Sequence, residues 1–177
     1  LRRGGVPHRG GRRVRLDAAA RAGAARVAST AARSQDSSQT DAGQIRIFEW
    51  SGSDWVQLGD DIYGEYFGDV LSSISLSADG SRMAMGAQRN DGNGDQSGHA
   101  RVYEFVGETW TQLGADIDGE ASRDWSGKSV SLSAAGDRLA IGAWGNDGNG
   151  TDSGHVRVFD WSGAAWTQVG DDIDGAE

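Results

Sequence analysis

The chain of 177 residues contains no cysteine, one proline and two methionines. Without cysteine there is neither a disulfide framework nor a thiolate metal site. That does not exclude secretion, since strands packed face to face hold without crosslinks. No apolar run is long enough to span a bilayer. Apolar residues make up 37% of the chain, below the usual globular share, so the core must be thin or spread over stacked layers. What the chain has in excess is glycine. Its 28 glycines follow no collagen-like period and point to many tight turns between short strands.

Basic residues are also scarce, and they are unevenly placed. Residues 1–42 hold nine of the 17 basic residues and three of the 26 acidic ones, which leaves eight basic against 23 acidic residues in 43–177. An acidic body repels phosphate backbones, which excludes nucleic acid as its partner and suits divalent cations or cationic surfaces. The basic first segment shows no strand alternation. Composition reads it as a disordered leader, with a short helix over Asp17–Ala32 on propensity alone. Its Ala/Ser-bearing, acid-poor character also fits an organelle transit peptide, and its opening on Leu1 fits a stretch outside native coding sequence.

From Gly43 the sequence repeats. GQIRIFEWSGSDWVQLGDDIYGE (Gly43–Glu65), GHARVYEFVGETWTQLGADIDGE (Gly98–Glu120) and GHVRVFDWSGAAWTQVGDDIDGAE (Gly154–Glu177) are copies of one pattern, and Trp55, Trp110 and Trp166 mark steps of 55 and 56 residues. SISLSADGSRMAMGAQRNDGNGDQSG (Ser73–Gly98) and SVSLSAAGDRLAIGAWGNDGNGTDSG (Ser129–Gly154) lie between them. A fixed period in this range marks a solenoid, propeller or array. One full period contains four strand-like pieces, Ser73–Ser77, Arg82–Ala87, Ala100–Phe105 and Thr109–Gly114, divided by turn residues such as Asp79–Gly80. Four short antiparallel strands make one propeller blade. In VRVFDW, Val156 and Val158 alternate with Arg157, Phe159 and Trp161, so both faces carry bulk, as a sheet between two others requires. The small-residue strand Leu139–Ala143 is expected near the central axis, and the recurring Trp110 and Trp166 are expected to pack between blades.

The expected fold is therefore all-β, with four-stranded antiparallel blades of an incomplete β-propeller. Residues 43–72 form a partial blade, and 73–128 and 129–177 form one blade each. The rest of the ring is supplied by further sequence or by self-association.

These residues resemble the FG-GAP repeat family, the blades of integrin alpha-subunit propellers and of many surface proteins. DWSGKSVSLSAAGDRLAIGAW (Asp124–Trp144) followed by SGHVRVFDW (Ser153–Trp161) fits the blade pattern, with Gly127, Ser129 and Val130 at its opening and Ser126 in place of Phe. The earlier copy carries a literal Phe67–Gly68 three residues ahead of that register. The resemblance covers residues 43–177 and implies an extracellular or cell-surface, noncatalytic binding or adhesion scaffold that presents loops to protein or glycan ligands. The alternative is an accessory propeller segment of a larger secreted hydrolase or lyase. Many members of the family carry a D-x-D/N-x-D-G-x-x-D calcium loop. Here its slot is only Ser77–Ser81 or Ser133–Asp137, too short and too poor in carboxylates for calcium.

Calcium chemistry is better served by the loops after the small-residue strands. Asp91, Asn93 and Asp95 alternate in one copy, and Asp147, Asn149 and Asp152 stand in the other. Alternating oxygen donors with glycine between them wrap a hard cation. The competing reading, and the favoured one, is a plain turn whose side chains bond their own backbone. The acidic pieces Asp60–Glu65, Ala115–Glu120 and Asp171–Glu177 recur once per blade, which fits an inter-blade turn or ion-binding rim better than a general acid–base pair. His99 and His155 start equivalent strands where the first copy has Gln44. A metal-binding imidazole pair and a structural hydrogen-bonding role both fit that placement, and the structural role is favoured. No serine sits in a nucleophile elbow, and no phosphate-binding loop is present. Arg123, Trp125 and Trp144 break the repeat opposite Phe67, Asp69 and Gln88. The two Trp suit aromatic packing or glycan stacking.

Overall fold

The computed structural model describes residues 42–66 and 68–176 in full and, for their backbone, 14–21 and 24–31. The described residues contain fifteen strands: β1 (Val14–Arg21), β2 (Ala24–Ala31), β3 (Gln44–Trp50), β4 (Trp55–Gln57), β5 (Ile62–Tyr63), β6 (Leu71–Leu76), β7 (Arg82–Ala87), β8 (His99–Val106), β9 (Thr109–Gln112), β10 (Ile117–Asp118), β11 (Ser126–Leu132), β12 (Arg138–Ala143), β13 (His155–Trp161), β14 (Trp166–Gln168) and β15 (Ile173–Asp174). They form three antiparallel sheets of one plan. In the middle sheet β6, β7 and β8 pair in order, and β9 and β10 share the far side of β8, at Tyr103–Val106 and at His99–Ala100. The fourth strand is thus one edge in two pieces, broken at Gly114, whose φ of +84° interrupts the pleat. Each sheet is four strands wide, and the fold is all-β, made of propeller blades too few to close a ring. Among the described residues no helix is long and apolar enough to cross a membrane.

Register shows why these strands pair as they do. Ala31 faces Gln44, Ala87 faces His99 and Ala143 faces His155. Arg26 faces Glu49, Arg82 faces Glu104 and Arg138 faces Asp160. Opposite charges directly across a ladder favour that register. In the second and third sheets these pairs close as ion pairs of 2.8 and 2.6 Å.

Over Val14–Arg21 and Ala24–Ala31, where propensity alone suggests a helix, the backbone forms paired strands, and β2 adds to β3. An Ala-rich helix buries little and is marginal alone, whereas β3 without β2 exposes a full row of backbone donors and acceptors. Tertiary pairing overrides propensity here. The remaining leader positions, 1–13, 22–23 and 32–41, lie outside the described residues, as does Phe67 of the literal Phe-Gly pair.

The core is two apolar layers, one at each junction between sheets. Alternation along β7 and β8 feeds both. Met83 and Met85 join Ile45, Ile47, Ile62, Leu71 and Leu76 in the first layer. Ala84, Ala100 and Val102 join Ile117, Leu132, Leu139, Ile141 and Phe159 in the second. The edge strand β11 packs on β6 and β7, with β12 second in its sheet. The repeating Trp pin the layers. Trp110 Nε1 donates to Leu58 O at 3.0 Å, and Trp166 Nε1 donates to Leu113 O at 2.8 Å, each reaching into the preceding sheet. Close backbone approach completes the junction. A Cβ on Gly98, whose φ is +73°, would stand 2.1 Å from Ser126 O, so only glycine fits there.

Candidate functional site

Where each sheet leaves its predecessor, the histidines and the acidic pieces meet. In the middle sheet His99 opens β8, Arg101 follows it one pleat further on, and Asp116 comes from the break before β10. Glu65 reaches over from the turn that leaves the first sheet. Arg101 Nε donates to Asp116 Oδ1 at 2.7 Å, and its guanidinium also pairs with Glu65. Burial acts against the charge on Asp116, but the Arg101 hydrogen bonds and charge win and hold its carboxyl below the ordinary range. Burial, then the Arg101 charge, push the His99 imidazole below its ordinary value. The first sheet repeats the set with Gln44, Arg46 and Asp61: Arg46 Nε donates to Asp61 at 3.1 Å, and Gln44 bonds the same carboxylate.

The third sheet carries Glu120, His155, Arg157 and Asp172 in the same places, arranged differently. Arg157 turns to donate from Nη2 to Asp118 O at 2.6 Å and stays 3.6 Å from Glu120 Oε1. His155 Nδ1 lies 3.3 Å from Asp172 Oδ2 and 4.0 Å from Glu120 Oε2, without the alignment a hydrogen bond requires. Both nitrogens of His155 are buried and make no hydrogen bond. Among the described residues, the sites where three His, Asp or Glu ligands converge are Glu65–His99–Asp116 and Glu120–His155–Asp172.

The glutamates are held by residues the sequence reading did not single out. Buried Asp69 accepts the backbone N–H groups of Glu65 and Tyr66, and buried Asp124 accepts those of Glu120 and Ala121, at 2.9–3.2 Å. Asn90 and Asn146 donate to the same carboxylates. The signal for them was present in the repeat, as an Asp four residues after each Glu and an Asn opening each NDGNG loop. Equating Asp124 with Asp69 also corrects the sequence register by one. Trp125 stands where the earlier copy has Val70, both with φ near +50°. Arg123 then stands opposite Gly68 rather than Phe67. The difference is absorbed at the bulge before Ser129, which holds one more residue than the bulge before Ser73.

The candidate calcium loops engage their own turns. Asp91 Oδ1 accepts Gln96 N at 2.7 Å, and Asp147 Oδ1 accepts Asp152 N at 2.8 Å. Asn93 and Asn149 donate to Gly119 O and Gly175 O at 2.8 and 3.0 Å, tying each loop to the outer strand of its own sheet. Asp95 meets Arg123 at 3.4 Å.

At this loop end the two repeat-breaking Trp stack. The Trp125 and Trp144 rings lie 4.4 Å apart at 13°, with Trp125 Nε1 donating to Gln96 Oε1 and half of Trp144 exposed. Trp144 also borders a cleft of about 440 Å³ with Lys128, Ser153, His155 and Ile173. In the middle sheet the corresponding surface receives the next sheet: Ser126 N donates to Ser97 O, and Ser72 and Ser73 donate to Gly127 O at 2.8 and 2.9 Å. The cleft thus corresponds in position to the surface that the middle sheet gives to the third.

The fold and its recurring junction define a segment of a repeat-built β-propeller. Residues 115–159, which span the junction of the second and third sheets, match the model of the FG-GAP repeat family. No curated protein is significantly similar in sequence. Among solved structures the chain is similar to an acylaminoacyl peptidase in complex with Z-Gly-Gly-Phe-chloromethyl ketone, at 13% identity and a TM-score of 0.49, over 93% of this chain and 25% of that one. The chain spans about a quarter of that structure's length.

Proposed function

We propose that the chain is a noncatalytic binding or adhesion scaffold, outside the cell or on its surface, that presents the loop end of its blades to a protein or glycan ligand. The stacked pair Trp125–Trp144 carries this reading. It is the feature that breaks the repeat, it leaves an indole face in solvent, and a flat apolar face with polar neighbours suits the C–H face of a sugar ring. Of the two ligand classes it favours a glycan. The titratable sets, by contrast, recur once per sheet, as a structural junction does and an active site normally does not. The exposed side of the third sheet is read as the seat of a further blade, from the same protein or from a second copy.

The test is an oligosaccharide array probed with the full chain, followed by titration of Trp fluorescence. The expected result is saturable binding that Trp144→Ala weakens at least tenfold with the fold intact. Failure of every glycan to bind, or binding indifferent to Trp144, overturns the glycan reading.

A further inference from the structure

We propose that Glu120, His155 and Asp172 bind one divalent transition ion of zinc type, which clamps the third sheet to the turn leaving the second. The inference is independent of the ligand reading above.

An imidazole nitrogen with two carboxylate oxygens is a donor set for zinc and its neighbours, with a fourth position open to water. At metal–ligand distances of 2.0–2.1 Å, tetrahedral geometry places ligand atoms about 3.3–3.4 Å apart. The Nδ1–Oδ2 separation of 3.3 Å between His155 and Asp172 already fits. The 4.0 Å from Nδ1 to Glu120 Oε2 closes by a small rotation of a side chain that is 45% exposed.

The two carboxylate residues are held by contacts outside the set. Asp172 Oδ1 accepts Gln168 Nε2 at 2.7 Å, which leaves Oδ2 toward His155. Asp124 accepts the Glu120 N–H at 3.2 Å. Arg157 approaches Glu120 at Oε1 rather than Oε2 and spends its short hydrogen bond on Asp118 O. The second, independent pointer is His155 itself. Its side chain is 1% exposed, and Nδ1 faces both carboxylates without a hydrogen bond. A buried polar atom in that state requires a reason, and a metal ion supplies one for Nδ1.

The middle sheet is the internal control. His99 Nδ1 is likewise buried without a hydrogen bond, but there Arg101 occupies both carboxylates of Glu65–His99–Asp116, so the same residue types are already neutralised and take up no ion. What sets the third sheet apart is that its carboxylates are not so occupied.

The experiment is calorimetric titration of chelator-treated full-length chain with Zn²⁺ alone, alongside thermal unfolding with and without the ion. One saturable site and a higher melting temperature are expected. His155→Gln, which installs the residue the first sheet carries as Gln44, and Glu120→Gln, at a half-exposed position, should each weaken uptake at least tenfold. Glu65→Gln should leave it unchanged. Absence of saturable uptake by the parent chain, uptake that survives both variants, or uptake lost in Glu65→Gln instead, overturns the proposal.

Discussion

The middle and third sheets are built from nearly the same sequence and live in different surroundings. Ala100 and Ile117 of the middle sheet are 0% and 8% exposed, while their equivalents Val156 and Ile173 are 37% and 61% exposed. Nothing in the strands themselves accounts for this. Among the described residues the middle sheet lies between two neighbours and the third beside one. Burial in such a protein belongs to the stack rather than to the strand, so each sheet's apolar face has a meaning only with the sheet that covers it. The junction chemistry differs in the same direction. The guanidinium is locked onto two carboxylates in the middle sheet, whereas in the third it bonds Asp118 O and keeps one longer contact, 3.6 Å to Glu120.

The largest expected effect lies at the glycines that let two sheets touch. Alanine at Gly98 puts a Cβ 2.1 Å from the Ser126 carbonyl at a φ of +73°, so both backbone strain and a backbone clash oppose it. The equivalent Gly154 has the same kind of φ, +71°, but its nearest neighbour would be 3.1 Å away within its own sheet. Chemical denaturation of the full chain should show Gly98→Ala costing about 3 kcal/mol or more, and Gly154→Ala about 1 kcal/mol. Equal costs would mean that the junction between the second and third sheets does not depend on this approach.

Next in size is the paired truncation of the two isoleucines. Ile117→Ala removes a side chain packed with Leu139 and Phe159 and should cost about 2–4 kcal/mol. Ile173→Ala, at the exposed face, should stay within about 0.5 kcal/mol in dilute solution. Sedimentation sharpens the comparison. If a second copy covers the third sheet, the chain associates as concentration rises, and Ile173→Glu abolishes that association. A strictly monomeric chain at all concentrations leaves a further blade of the same protein as the cover.

How much of this was legible in the sequence depended on whether it was local. The strand Arg82–Ala87 could be read with its limits, because Asp79–Gly80 turns the chain on one side and the Asn90 loop on the other. The period was visible in Trp55, Trp110 and Trp166, and with it the number of sheets that residues 43–177 contribute to. The junction set was visible only as fragments. His99 and Arg101 sit in one strand, Asp116 arrives fifteen residues after Arg101, and Glu65 belongs to the previous copy, so their meeting is a property of stacking rather than of spacing. The strands β1 and β2 were hidden for a different reason. Their alanines score as helix, and the force that makes them strands is the open edge of β3, which composition does not express.

The smallest expected effect is a pH dependence at the closed middle junction. Burial and the neighbouring Arg101 place His99 below the ordinary imidazole value of 6.5. As pH falls through that value, the unfolded chain takes up a proton that the folded chain refuses, so stability declines on acidification and is fully present above it. Asp116 works in the same direction at lower pH. Its folded value lies below 3.8 because the Arg101 contacts outweigh burial, so its contribution is present above 3.8 and disappears as pH falls through the folded value. Melting curves between pH 7 and 3 should therefore show two descending limbs. His99→Gln should flatten the upper limb and leave the lower one, since the first sheet keeps the same Arg–Asp contact beside Gln44. Arg101→Gln should reduce the lower limb and, by freeing Glu65 and Asp116, make the middle junction resemble the third. An upper limb that persists in His99→Gln would assign the proton uptake elsewhere and remove this distinction between the two sheets.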